Sequence, residues 1–310
     1  MNIFIVNDTS ISPHYGCQVV MKNIAKAIKK NFSENSLNGG GAGVNIVGSL
    51  YVGNYNRMDN NTRKLLKTCD LVLINGEGTL HHSDFNIYSF SLAQTAALIK
   101  LMYGKPIYLV NAAYFCNSQY LNDCLGYYDM VFTRDIVGLQ ELKEHGIFAE
   151  LMPDMTFYSS YDDINCEHEN YIGIIGSVDR EIKNRLFSLK NNFNRILPIE
   201  YAEENFEQYI RSIKKSKGIL SGRFHGVCFA IQTRTPFLAV ESNIPKITAL
   251  LYELNMPNRL IKPNDIQPNI SVPEFTADEL KRIDEYLLKA PKIIDYVFYK
   301  IFANWSLRYS

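Results

Sequence analysis

Gly218-Ile219-Leu220-Ser221-Gly222-Arg223-Phe224-His225-Gly226 is followed without a break by Val227-Cys228-Phe229-Ala230-Ile231-Gln232. The first part is a short apolar run that ends at a polar turn. The second, taken with Phe224-His225-Gly226, is expected as a helix over Phe224–Gln232. A buried strand that runs straight into a helix is half of a crossover unit in a parallel sheet. Outward from this point the rhythm repeats. Upstream lie strand Tyr171–Gly176, helix Asp179–Lys190, strand Arg195–Glu200 and helix Glu203–Lys214; downstream lie strand Phe237–Glu241 and helix Lys246–Leu254. A Pro-punctuated stretch from Pro257 to Pro273 leads to a final helix expected over Ala277–Leu288.

The first half of the chain carries the same alternation. Its expected strands are Ile3–Asn7, Asn45–Ser49, Leu71–Asn75, Ile107–Asn111, Met130–Thr133 and Phe148–Met152. Between them lie helices over Gly16–Lys30, Arg63–Thr68, Phe90–Tyr103, Tyr120–Gly126 and Val137–Glu144. The segment Tyr158–Asn170 is polar and aperiodic, which reads as a linker. The 310 residues are too many for one ordinary α/β domain, and 46% apolar content suffices for two cores. The expected fold is therefore α/β: two doubly wound, Rossmann-like domains, 1–160 and 161–310, facing a cleft.

Composition excludes some functions. The 32 basic and 32 acidic residues cancel, so there is no electrostatic case for nucleic acid. Six cysteines without a C-x-x-C pair read as buried reduced thiols rather than disulfides or zinc ligands. Met1-Asn2-Ile3-Phe4-Ile5-Val6 reads as a strand, with no signal peptide, and no run is long enough to span a membrane, so a cytoplasmic location is expected. Gly39-Gly40-Gly41-Ala42-Gly43 follows a helix and precedes a strand, the reverse of a dinucleotide fingerprint, and reads as a loop.

The carboxyl ends of parallel strands face the ligand crevice, so chemistry is sought there. At Ser221-Gly222-Arg223-Phe224-His225-Gly226 a helix start offers backbone N–H groups to an anion, Arg223 adds a bidentate cation, and His225 a proton donor or acceptor. An ordinary helix start with a packed histidine is the competing reading. Glu241, Ser242, Asn243 and Lys246 end the next strand and join Gly222 as candidate donor-binding residues; Ser242 or Asn243 could equally be an N-cap. In the first half, Asn75, Glu77, His81 and His82 follow a strand, and His14 lies near the start of a helix. Adjacent histidines lack the spacing for a metal, so no metal site is expected and these residues are assigned to an acceptor sugar. Arg134 also ends a strand, where a surface role and a cleft role are equally open.

Asn75-Gly76-Glu77-Gly78-Thr79-Leu80, Thr133-Arg134-Asp135 with Gly138 and Leu139, Pro153-Asp154, and Ser221-Gly222-Arg223-Phe224-His225-Gly226 with Thr235-Pro236 together resemble the polysaccharide pyruvyl transferase family. The resemblance spans roughly residues 3 to 255 and implies a GT-B-like fold. It implies transfer of pyruvate from phosphoenolpyruvate, a donor substrate with no further cofactor, onto two hydroxyls of one sugar as a cyclic ketal. Arg223 and Arg134 would hold the donor's phosphate and carboxylate, and His225 would donate the proton. Glu77 and the pair His81-His82 depart from the family's usual Gly-rich turn. A GT-B glycosyltransferase using a nucleotide sugar is the alternative. The expected partners are phosphoenolpyruvate and a sugar or lipid-linked oligosaccharide. The aromatic tail Ile293–Trp305 is expected to pack across the domain junction, with peripheral contact to the inner face of the membrane as its second reading.

Overall fold

The computed structural model describes residues 1–33, 43–54, 58–191, 193–199, 205–241 and 243–309. The chain divides into two compact units. Met1–Ile11, Gln18–Met155 and Lys292–Ser310 form the first; Ser12–Cys17 and Thr156–Pro291 form the second.

The first unit holds a six-stranded parallel sheet. Its strands are β1 (Asn2–Asp8), β2 (Asn45–Tyr51), β3 (Leu71–Glu77), β4 (Ile107–Ala112), β5 (Met130–Thr133) and β6 (Glu150–Leu151), in the order β2-β1-β3-β4-β5-β6. β3 and β4 are buried along their whole length, which is why they read as continuous apolar runs rather than alternating ones. The crossover helices are α1 (Tyr15–Ser33), α2 (Asn60–Thr68), α3 (Ile87–Tyr103), α4 (Gln119–Leu125) and α5 (Ile136–Glu144). Short polar side chains start them: Asp59 accepts from the Thr62 N–H, Asn86 from Tyr88 and Ser89, and Asp135 from Gly138. One core cluster joins Leu66 of α2, Leu92, Ala96 and Ile99 of α3, Leu121 of α4 and Leu142 of α5 to Phe4, Val6, Val72 and Ile74 of the sheet.

The second unit holds a five-stranded parallel sheet in the order β11-β10-β9-β7-β8. Along the chain its elements are β7 (Ile172–Ser177), α6 (Arg180–Ser188), β8 (Asn194–Ile196), α7 (Phe206–Lys215), β9 (Gly218–Gly222), α8 (Phe224–Gln232), β10 (Phe237–Val240), α9 (Lys246–Glu253) and β11 (Leu260–Ile261), followed by α10 (Ala277–Tyr309). Both units are thus parallel sheets with crossover helices, as the strand–helix rhythm implies.

Three expectations change. The last helix does not stop at Leu288 but runs to Tyr309, through Pro291. An interior proline loses one backbone bond and costs about 3 kcal/mol. Burial of Ile294, Val297, Phe298 and Ile301 offsets it, and Phe298 and Phe302 meet Phe32 of α1 edge-on in the first unit. The Pro-punctuated stretch, to which no strand was assigned, contains β11, a two-residue strand beside β10. The cysteines are free, but only Cys69, Cys124 and Cys228 are buried, and Cys116 is exposed. Residues 39–42 of the glycine run, with Glu200 and Glu203, lie outside the described residues. Among the described residues, no helix is long and apolar enough to cross a membrane.

Candidate functional site

In the second unit the direction of sheet growth reverses at β7. β8 lies on one side of it, and β9, β10 and β11 lie on the other. Such a reversal leaves a crevice at the carboxyl ends of the two strands that flank it, because their outgoing connections part to opposite faces. Those ends here are Ser177 and Gly222, which are partners in the register. The next residues are Arg223, Phe224 and His225.

The turn is held from within. Ser221 Oγ accepts the Arg223 N–H at 3.0 Å and donates to the Arg223 carbonyl at 3.0 Å. Arg223 then sits as the N-cap of α8 in an extended conformation, without a side-chain cap. α8 is buried on every face. It packs that closely because position 226 has no side chain: a Cβ there would stand 2.5 Å from Ser221 Oγ. A helix start of this kind directs first-turn N–H groups and the positive end of the helix dipole to one spot.

His225 is the second helical residue and is only 7% exposed. Its neighbours come from Ser12–Cys17, the N-terminal piece of the same unit. The His14 ring lies with its centroid 5.3 Å from that of His225. The His14 Nδ1 accepts the Gly16 N–H at 3.1 Å, so the neutral ring carries its proton on Nε2. Burial, then the nearby charges of His225, Arg223 and Lys246, hold the His14 pKa well below the usual histidine value. Each of those three groups repels a proton, and each would attract an anion.

Beside this cluster, Lys246 begins α9 and its Nζ donates to Asn243 Oδ1 at 3.0 Å. Glu241 accepts the Thr248 N–H at 2.7 Å and so caps α9. Ser242 lies outside the described residues. An aromatic floor lies below: Tyr15 packs on Phe206 and Tyr209 at 5.6 and 5.0 Å between ring centroids. Burial foremost, then Tyr15, raises the Tyr209 phenol well above its usual value, with Arg223 opposing.

His14, Cys17 and His225 can each bring one ligand atom within 4.8 Å of the others, a set that sequence spacing did not find. Two imidazoles and a thiol are a zinc-type donor set. The charges around it argue the other way. Arg223 and Lys246 are cations, and the His14 Nδ1 lone pair is already used by a backbone N–H. Cations thus surround this cluster.

The remaining candidates belong to the first unit, at the reversal between β1 and β3. Asn7, Glu77 and Asn111 lie within the last two residues of β1, β3 and β4, and all three take positive φ, 63°, 42° and 59°. Non-glycine residues adopt this conformation at a cost and mostly where the surroundings enforce it. A buried amide network supplies the enforcement. Asn7 Nδ2 donates to the Asn75 carbonyl at 2.6 Å, and Asn75 Nδ2 reaches Glu77 Oε2 at 3.3 Å. Asn111 Oδ1 accepts the Met155 N–H at 3.0 Å. His81 and His82 face each other, Nδ1 to Nδ1 at 3.0 Å, so one donates and the other accepts. The Arg134 side chain is 2% exposed and its Nη1 donates to Asp154 at 2.6 Å, a bond that a donor substrate would have to share. The expected site residues thus fall into two groups. His14, expected on the acceptor side, joins Arg223, His225 and Lys246, whereas Arg134 stays with Asn75, Glu77, His81 and His82.

The sequence profile of the polysaccharide pyruvyl transferases matches residues 14–243, from His14 through the arginine–histidine turn to the start of the α9 connection. The chain belongs to this family. No curated protein sequence matches at a significant level. Among solved structures, the chain is similar to a functionally uncharacterised protein from Klebsiella pneumoniae at TM-score 0.53 and 12% identity, over 84% of this chain and 92% of that one. It is also similar to UDP-GlcNAc 2-epimerase from Methanocaldococcus jannaschii at TM-score 0.51 and 12% identity, over 98% and 100% of the two chains. The Anabaena protein HepE, solved with UDP and glucose, follows at TM-score 0.50 and 10% identity, over 98% and 95%. At such identities the likeness is one of fold, and the fold is GT-B-like. Membership makes the chain a transferase-family protein of polysaccharide modification, and its profile covers the cationic turn and His14 together.

Proposed function

We propose that this chain transfers a pyruvyl group from phosphoenolpyruvate to a sugar of a surface polysaccharide or its lipid-linked precursor, at the cytoplasmic face of the membrane, closing a cyclic ketal. The observation that carries the reading is the meeting of His225 with Arg223, Lys246 and His14 at the start of α8. The donor is a small, highly charged anion. Arg223, Lys246 and the α8 N–H groups hold its phosphate and carboxylate. His225, as imidazolium, gives a proton to the methylene carbon, which leaves the neighbouring carbon electrophilic. One sugar hydroxyl adds there, inorganic phosphate departs with the electron pair of its C–O bond, and the second hydroxyl closes the ring. The two hydroxyl protons go to the phosphate and to the neutral histidine, which restores the imidazolium. Cations fixed around the leaving group stabilise charge as it develops. Asn75, Glu77, His81 and His82 are assigned to the acceptor, and Arg134 to holding Asp154.

Calorimetric titration with phosphoenolpyruvate against a panel of UDP- and CMP-sugars tests the donor. Binding of phosphoenolpyruvate is expected, and a response to nucleotide sugars alone would overturn the reading in favour of a glycosyltransferase. The His225→Ala variant should still bind the donor but lose phosphate release in the presence of a polysaccharide or lipid-linked acceptor fraction. Undiminished release removes His225 as the proton donor.

A further inference from the structure

We infer that Cys17 is held as a thiolate within the cationic cluster of the second unit and is a modification site for peroxides, whose product closes the anion site. The thiolate is independent of the proposed reaction; the closure rests on that reading.

The cysteines differ by what surrounds them. Cys69, Cys124 and Cys228 are buried. Burial foremost pushes the Cys69 thiol up to about 11 and raises that of Cys124, because apolar surroundings disfavour the ion. Cys116 is exposed, and the Glu141 carboxylate accepts its backbone N–H at 2.7 Å, so its neighbour is an anion. Cys17 has the opposite environment. It is half-buried, and its Sγ lies within 4.8 Å of a ring nitrogen of both His14 and His225. After burial, it is His225, Arg223 and Lys246 that hold the His14 pKa down. Charges that repel a proton from that ring attract an anionic sulfur beside it.

The backbone adds to this. Cys17 is the third residue of α1, whose first turn holds no acid. First-turn N–H groups and the positive end of the helix dipole favour a thiolate there. The start of α1 also lies directly against that of α8, since a Cβ at Gly16 would stand 2.1 Å from His225 Nδ1. Glu241, the acid that follows β10, accepts the Thr248 N–H at the start of α9. The surrounding cations disfavour a metal ion on this donor set and favour a thiolate, and a thiolate beside an imidazolium is a nucleophile.

The Cys17 sulfur attacks one oxygen of hydrogen peroxide. An S–O bond forms and the O–O bond breaks; sulfur gives up two electrons, and the departing oxygen leaves with them as hydroxide. The His225 imidazolium protonates the hydroxide to water. The product is a sulfenic acid, reversible by thiols, with an added oxygen atom beside the groups that would hold the donor.

Alkylation tests the thiolate. The full chain, freed of metal with a chelator, is treated with iodoacetamide from about pH 6 to about pH 8, and Cys17 is followed by peptide mass spectrometry. A thiol with a pKa near 8.5 gains about tenfold in rate per pH unit over most of this range, and the urea-unfolded chain supplies that reference. Near pH 6.5, folded Cys17 should react roughly fivefold faster than the reference, because a roughly fiftyfold gain in thiolate is partly offset by lower nucleophilicity. Its rate should be nearly flat with pH, and Arg223→Gln with Lys246→Gln should steepen the profile. A folded wild-type profile as steep as the reference overturns the inference. So does equimolar zinc that blocks labelling, which would make the cluster a metal site. Equimolar hydrogen peroxide followed by dimedone should tag Cys17. The oxidised chain should lose phosphoenolpyruvate binding and regain it with dithiothreitol, whereas Cys17→Ser keeps its affinity through the same treatment. Equal loss in Cys17→Ser, or undiminished binding by the oxidised wild type, overturns the closure. A reduced chain that does not bind phosphoenolpyruvate defeats the proposed function, and the alkylation profile still decides the thiolate.

Discussion

Gly16→Ala is the sharpest perturbation available at this site, because two known effects of opposite sign meet there. Gly16 is the second residue of α1, and alanine in a helix is favoured over glycine by up to about 1 kcal/mol. A Cβ at that position, however, would stand 2.1 Å from His225 Nδ1, 2.2 Å from its Cγ and 2.6 Å from its Cβ. Ordinary contact between carbon atoms lies near 3.5–4 Å, so the shortfall exceeds an ångström. The atoms struck are the root of the imidazole, not its tip, so no ring rotation clears them. Either the start of α1 or the start of α8 must move. Overpacking of this kind costs about 1–3 kcal/mol, which outweighs the helix gain, and Gly16→Ala is expected to destabilise the wild-type chain.

In a His225→Gly background the struck atoms are gone and only the helix preference remains. There the same substitution should stabilise. Urea melts of the four proteins of this cycle measure the coupling, expected at about 1–3 kcal/mol. A cost for Gly16→Ala that is equal in both backgrounds, or absent from both, refutes the packing argument. A displaced His225 should also slow transfer roughly a hundredfold per ångström while donor affinity changes less.

The His14 pKa is lowered by burial, His225, Arg223 and Lys246, so a bound dianion should raise it and draw in a proton. Titration of phosphoenolpyruvate near pH 6.5 in buffers of different ionisation enthalpy should show proton uptake that His14→Gln diminishes. Without ligand, the unfolded chain binds a proton below about pH 6.5 that folded His14 refuses. Stability from this group is therefore full above that pH and falls as pH drops, and His14→Gln should flatten the slope. Glu279, buried against Arg259 with its carboxyl lowered to about 2, gives stability present above its unfolded pKa near 4.5 and lost as pH falls toward about 2. Glu279→Gln should cost about 3–5 kcal/mol by stranding the Arg259 charge, measurable as a lowered urea midpoint.

The elements that the sequence made legible are those whose ends carry their own chemistry. α8 was expected over Phe224–Gln232 and is found there, because a Gly-Arg turn precedes it and Thr-Arg-Thr-Pro follows. The last helix was expected only over Ala277–Leu288, whereas α10 runs on through Pro291 because Ile294, Phe298 and Ile301 are buried enough to carry it. β11 escaped because two residues hold no period. Arg223 and His225 stood out as a pair since they sit two apart at a strand end. That His14 shares their site could not be read, since the contact joins residues far apart in the chain. Nor do the letters of Asn7, Glu77 and Asn111 announce positive φ at three neighbouring strand ends.

Those strand ends suggest how one fold divides the proposed task. At the reversal in the second sheet the groups are Arg223, Lys246, His225 and a helix start, all of which favour negative charge. At the reversal in the first sheet they are amides, one carboxylate and two mutually bonded imidazoles. An amide both donates and accepts, as a sugar hydroxyl does, and such a site gives a phosphate nothing that water lacks. Exchanging the two substrates between the sites would leave the dianion against Glu77 and the neutral sugar among unused cations. On the proposed reading, these side chains favour the donor at the second unit and the acceptor at the first. Asn75→Ala and Glu77→Gln should accordingly raise the acceptor KM and leave calorimetric donor binding unchanged. Loss of donor binding in either variant would break that division.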